Sequence, residues 1–152
     1  SRFVELIDDS YPISFHRYSL MIDLGGSGKF RGSSGTCWEV EPLDKYMKFV
    51  MFGEVRKLPA LGSAGAFSTL LDTKLGRVEI TRNGKVEVIK ENVIETILPG
   101  QRVANMNPGG GGYGNPLERP IEKVILDVKN GLVSKKGAKE DYGVVFADKE
   151  SL

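Results

Sequence analysis

Few side chains in this sequence are suited to chemistry, and two of them are the only ones of their kind. The single histidine is His16 and the single cysteine is Cys37. A self-contained Cys/His zinc site and an intramolecular disulfide are therefore excluded. His16 has the residue type of a general base or a ligand, yet local sequence sets no carboxylate beside it, and catalysis needs a constellation rather than one residue. It reads as a structural histidine. Cys37 has no basic neighbour in sequence and precedes Trp38, so it reads as a buried, inert thiol rather than a nucleophile. Asp141 and Tyr142 stand before Gly143, the arrangement of a helix C-cap with a packed aromatic, and are assigned to the fold.

Two glycine-rich segments remain. In "NPGGGGYGNPLERP" four consecutive glycines, Gly109, Gly110, Gly111 and Gly112, run through Tyr113-Gly114 toward a helical pattern. Free amides before a helix attract anions, because unpaired N–H groups and the helix dipole both favour negative charge. These four glycines are thus anion-loop candidates. The Lys-Ser/Thr ending of a Walker A loop is missing, however, and Pro116 and Pro120 remove two donors. A tight turn that lets backbones pack closely is the favoured alternative. The other segment, "GGSGKFRGSSG" from Gly25 to Gly35, matches neither phosphate-loop nor dinucleotide spacing and joins two strands. Its Lys29 and Arg31 flank Phe30, an arrangement that fits either an aromatic anchor with two cations for a partner's carboxylates or a solvated loop. Lys29, Phe30, Arg31 and Tyr113 are the interface candidates. No catalytic residue and no metal ligand is assigned.

The elements that must position these residues are mostly strands. In "SFHRYSLMID" the even positions Tyr18, Leu20 and Ile22 are apolar, which predicts a strand with that face buried and His16 at its start. "TCWEVEPL" is a second strand, ending at Pro42. The aromatic-rich "KYMKFVMFG", Lys45 to Gly53, reads as a central core strand. Residues 56–76 show neither a period of 2 nor one of 3.6 and read as an irregular crossing. "GRVEITRNGKVEVIK" is a hairpin, because Val78/Ile80 and Val86/Val88 alternate around Asn83-Gly84, and Asn-Gly tolerates the positive φ of a type I′ turn. Residues 93–104 give two short strand pieces broken at Pro99-Gly100. Ile121, Val124, Ile125 and Val128 then follow helical spacing, with Pro120 in the first turn and Gly131 as C-cap. A second helix opens at Ser134 as N-cap, and "VVFAD" reads as a return strand. The fold class is mainly β, α+β, with two C-terminal helices: one domain over 1–152, a β body to about 108, and a glycine loop with a helical cap over about 109–152.

With 152 residues the chain suffices for one core, and 21 Lys and Arg against 20 Asp and Glu give a formal charge of +1. No basic stripe marks a nucleic-acid or membrane partner. No apolar run approaches the ~20 residues that span a bilayer, and the N-terminus lacks signal-peptide features, so a cytoplasmic location is expected. The 19 glycines are clustered rather than spread, which implies specific turns.

"DLGGSGKFRGSSG" (Asp23 to Gly35), "LPGQRVANMNPGGGGYGNPLER" (Leu98 to Arg119) and "VKNGLVSKKGAKEDYGVV" (Val128 to Val145) together resemble the C-terminal part of the hydantoinase B/oxoprolinase family. The family's pattern differs at Gly100-Gln101, Gly114-Asn115-Pro116 and Arg119-Pro120, where it has Gly-Asp, Gly-Asp-Pro and Arg-Asp. Three acidic positions are neutral here, so no metal or proton-transfer role is carried to them. Family chains are several times longer, so the resemblance implies either a fragment or a separate small subunit. It implies, further, a heteromeric ATP-dependent complex with larger hydantoinase A-like and hydantoinase B-like partners. ATP and Mg or Mn are expected on those partners and no cofactor on this chain alone. The leading expectation is a non-catalytic or site-completing subunit of a carboxylase of the acetone or acetophenone type, which joins bicarbonate to a ketone. The alternatives are a subunit of an ATP-dependent hydantoinase or 5-oxoprolinase, opening a cyclic amide, and a purely structural module.

Overall fold

The computed structural model describes residues 11–52, 60–66 and 76–147. The fold is mainly β with two C-terminal helices, as expected from the sequence. Among the described residues seven strands, β1 (Ile13–Met21), β2 (Gly35–Pro42), β3 (Met47–Met51), β4 (Arg77–Arg82), β5 (Lys85–Ile89), β6 (Val93–Ile97) and β7 (Arg102–Asn107), precede helices α1 (Ile121–Lys129) and α2 (Lys135–Tyr142). Its contacts divide into two compact units. One comprises residues 11–19, 36–52 and 76–107, the other residues 20–35, 60–66 and 108–147. The helical unit thus takes in the loop after β1 as well as residues 108–147.

In the first unit β1, β2, β7, β4 and β5 form one sheet in that order, and β3 pairs with β6 in a second. Val40, Val78, Ile80 and Val103 from the larger sheet share one core with Phe49, Val93 and Ile97 from the smaller, and Trp38 meets Phe49 edge-on at 5.9 Å. Each sheet shows one apolar face to the other, as two-layer packing requires. The hairpin forms at the expected place, with Arg82 opposite Lys85 and with Asn83 and Gly84 at φ 51° and 73°. Both central residues have the positive φ that a type I′ turn demands. At Pro99-Gly100, where Gly100 has φ 83°, the chain leaves the small sheet and enters the large one.

Two strand expectations are corrected. On β1 it is Ile13 and Phe15 that pack on the core, while Tyr18, Leu20 and Ile22 are 61%, 56% and 53% exposed. The segment carries two apolar sets of opposite parity, and a period of 2 says only that they lie on opposite faces. β3 is not central: its partner is β6 alone among the described residues, and only Phe49 is buried. Its alternation puts Met47, Phe49 and Met51 inward and leaves Val50 exposed. The irregular crossing falls largely on residues 53–59 and 67–75, outside the described residues.

In the second unit α1 and α2 pack through Val124, Val133, Ala138 and Tyr142, with Val128, Val144 and Phe146 against them. Gly131 (φ 68°) ends α1: its N–H donates to the Val128 carbonyl and that of Leu132 to the Asp127 carbonyl. This pair of bonds is the Schellman closure, which satisfies carbonyls at the helix end. Ser134 caps α2 by accepting the Gly137 N–H at 2.9 Å, and Gly143 (φ 69°) ends it. The expected return strand does not form. Residues 143–147 are irregular, because Val144 and Phe146 pack onto the helices instead of pairing with a strand.

Candidate functional site

The two glycine-rich segments, about 80 residues apart in sequence, are bound together in the second unit. Gly26 N–H donates to the Gly110 carbonyl (2.8 Å), Gly109 to Leu24 (3.1 Å) and Gly110 to Ser33 (3.0 Å), while Phe30 and Tyr113 exchange both their bonds at 2.9 Å. A third segment joins them, with Ser63 N–H donating to Gly112 and Gly114 N–H to Ser63. The glycines are what allow this approach. A Cβ on Gly32 would collide with the Gly110 carbonyl, and one on Gly111 with that of Leu61. Within the loop, the amides of Gly109, Gly110, Tyr113 and Gly114 are all committed to carbonyl oxygens of the same unit.

The clasp carries a buried ion cluster on its inner side. Asp127, 8% exposed, lies on the apolar stripe of α1 one turn after Val124. One of its oxygens accepts from Arg119 at 2.8 Å and stands 3.5 Å from Arg31 Nε. Arg31 also reaches the Ser34 hydroxyl, and Arg119 donates to the Lys29 carbonyl at 3.0 Å. Two cations share one carboxylate with about a tenth of each side chain exposed. Burial pushes the Tyr142 hydroxyl up to about 12, against the pull of Arg119 and Arg31 nearby. A second tie links Asp23 (φ 61°), after β1, to the start of α2: its carboxylate accepts the Ser134 N–H at 2.8 Å. Gly137 leaves the space for that carboxylate, since a Cβ there would stand 2.5 Å from its oxygen.

Of the four interface candidates, Phe30 and Tyr113 are 58% and 57% exposed, with ring centroids 6.3 Å apart. Lys29 pairs with Glu118 at 3.2 Å on the surface, whereas the Arg31 side chain is turned inward to Asp127. The aromatic pair sits on reciprocal backbone bonds.

In the first unit His16 lies 2.8 Å from Glu41, a residue 25 positions on that local sequence did not bring to notice. Glu41 also accepts from the Gly100 N–H and from Arg102. Partial burial raises the Glu41 carboxyl, but these three donors outweigh it and hold the group below the usual carboxylate range. Cys37 is fully buried, and that burial pushes its thiol up, as an unreactive cysteine requires. Among the described residues no three His, Cys, Asp or Glu side chains cluster as metal ligands, and no helix is long and apolar enough to cross a membrane.

The arrangement defines a class of module, a β-sheet unit and a glycine-clasped helical unit, rather than a particular reaction. Comparison with known proteins supplies the family. The family model described as hydantoinase B/oxoprolinase matches residues 2–116, and the chain belongs to that family. It is 55% identical to the beta subunit of caprolactamase from Pseudomonas jessenii over 145 residues, which cover 94% of this chain and 25% of that protein. It is 32% identical to the B-type chain of a putative D-/L-hydantoinase from Pseudomonas sp. (strain NS671) over 155 residues, 98% of this chain and 25% of that one. The chain thus spans about a quarter of the length of these curated relatives. The crystal structure of ATP-dependent caprolactamase from Pseudomonas jessenii superposes with a TM-score of 0.87 at 48% identity, covering 100% of this chain and 26% of that one. A nucleotide-free acetone carboxylase structure gives 0.72 at 20% identity over 98% of this chain and 24% of that one, a likeness of fold alone.

Proposed function

We propose that the chain acts as a module of the beta-type subunit in an ATP-dependent hydrolase of cyclic amides, with a lactam as substrate. The observation that carries this reading is the 55% identity to the caprolactamase beta subunit over 94% of the chain. The carboxylase, which leads among the expectations from sequence, has only a 20% identical fold neighbour in its support. The hydrolase alternative therefore takes its place.

In this reading the chain's own residues work by shape. The Arg31–Asp127–Arg119 cluster and the paired glycine segments hold Phe30 and Tyr113 rigidly at the surface, and an ordered aromatic pair loses little entropy on docking. Their occupant is another part of the beta-type subunit or its ATP-using partner, where ATP and its metal belong. The test is to assemble the chain with the remaining beta-type sequence and an ATP-using partner, then supply ATP with either a lactam or a ketone plus bicarbonate. ADP formation coupled to ring opening is expected. ATP-dependent formation of a keto acid would return the carboxylase reading.

A further inference from the structure

The chain has six asparagines, and two of them precede glycine: Asn83-Gly84 and Asn130-Gly131. Such a pair is chemically labile when the backbone nitrogen of the glycine reaches the asparagine side-chain carbonyl. That attack forms the N–Cγ bond, expels ammonia and closes a succinimide. Water then opens the ring at either carbonyl, leaving aspartate or isoaspartate. Apart from water no co-reactant is needed, and nothing is oxidised or reduced.

Both pairs are exposed, so solvent access does not separate them. Hydrogen bonding does. The Gly131 N–H donates to the Val128 carbonyl at 3.1 Å, and Leu132 N–H to Asp127 at 2.9 Å, so the attacking nitrogen is tied into the closure of α1. Swinging Asn130 (φ −82°, ψ 1°) into the reactive conformation breaks that closure. Gly84 sits at the centre of a two-residue turn whose bonds run between the flanking Arg82 and Lys85, leaving its own N–H unbonded among the described residues. β5 is an edge strand held by β4 alone among the described residues, and from Lys85 to Val88 all its residues are exposed. Edge segments of this kind open at low cost.

We propose that Asn83 is a site of spontaneous deamidation in the native protein and that the fold protects Asn130. The product matters because isoaspartate adds a backbone methylene inside a turn where Arg82 must face Lys85 with two residues between them. The β4–β5 pairing is expected to loosen at that end.

The test is peptide mapping of the whole chain after prolonged incubation at mildly alkaline pH, native and in urea, with isoaspartate distinguished from aspartate by fragmentation. In urea the two sites share the same Asn-Gly chemistry and react at similar rates. In native buffer Asn83 is expected to outpace Asn130 by about fivefold or more, the rate equivalent of one net hydrogen bond retained at Gly131. A native ratio equal to that in urea, or a faster Asn130, overturns the proposal. So does a native protein in which Asn83 stays intact while both sites react in urea. The unmodified chain carries both sites, so each is the other's internal control.

Discussion

The glycine run is not uniformly intolerant, and an alanine scan through it tests the close-packing argument directly. A Cβ on Gly109 points at the carbonyl oxygens of Leu24 and Ser33, inside the distance at which real Cβ atoms are found. Those same oxygens accept the N–H groups of Gly109 and Gly110, so relieving the clash pulls apart two hydrogen bonds of the clasp. At about 1 kcal/mol net each, with ~1–3 kcal/mol for forcing backbone apart, Gly109→Ala is expected to cost about 3–5 kcal/mol. Gly110, one residue on, has its one tight contact with the Ser33 hydroxyl at 3.0 Å, which can turn away at the cost of the bond it accepts from the Gly110 N–H while that N–H keeps the Ser33 carbonyl, so Gly110→Ala is expected to cost about 1 kcal/mol or less.

Urea unfolding followed by far-UV ellipticity reads α1 and α2, which lie in the same unit as the clasp. With a slope of about 2 kcal/mol per molar urea, Gly109→Ala lowers the midpoint by about 2 M and Gly110→Ala by less than about 0.5 M. Trp38 fluorescence is the wrong probe, because Trp38 belongs to the β unit. Equal midpoint shifts for the two variants refute the reasoning, since conformational entropy alone treats neighbouring glycines with ordinary φ alike.

Three other perturbations address the cluster, its neighbour and the surface pair. Asp127→Asn removes the carboxylate that Arg31 and Arg119 share. A loss of about 3–5 kcal/mol in the same urea experiment is expected, and a loss below about 1 kcal/mol would show the carboxylate to be dispensable. Tyr142 has its pKa raised from 10.0 to about 12, so its stabilising contribution is complete below 10.0 and is lost as pH rises toward about 12. Stability of the wild type is expected to fall across that alkaline window and that of Tyr142→Phe to fall less, with phenolate absorbance marking the titration. Double truncation of Phe30 and Tyr113 to Ala is expected to weaken assembly with the partner chains by about thirtyfold or more while leaving the urea midpoint nearly unchanged. Unaltered assembly would remove the pair from the interface.

What could be read from the sequence was what local chemistry decides. Asn83-Gly84 specified its turn, Ser134 and Gly131 their caps, and Pro99-Gly100 a break between strands, because each acts through its own φ or its own hydrogen bond. Which face of β1 finds the core was not local. It depends on which of two apolar sets a distant sheet covers, and the set of three lost to the set of two. Asp127 had a signal of its own: a carboxylate three residues from Val124 on an apolar stripe calls for a cation, although Lys123 and Lys129 are nearer in sequence than Arg119, the residue that pairs with it. Glu41 had none, since nothing in its neighbourhood marks a partner 25 residues earlier.

The two glycine segments carry the broader lesson. Taken singly, each resembles a phosphate loop that fails its motif, and each failure invites a bland reading as a turn. Together they explain one another. Gly26 and Gly32 are small because Gly110 to Gly112 lie against them, and Gly109 is small because Leu24 and Ser33 do. Glycine runs that match no ligand motif are thus evidence for a second backbone at contact distance, and the partner is to be sought first among the chain's other unexplained glycines. Here that pairing is what sets Arg31 against Asp127 and Phe30 against Tyr113. Side chains that look from sequence like one basic, aromatic tripeptide are sorted by the clasp. Arg31 goes inward to pair with Asp127, and Phe30 goes outward to the surface.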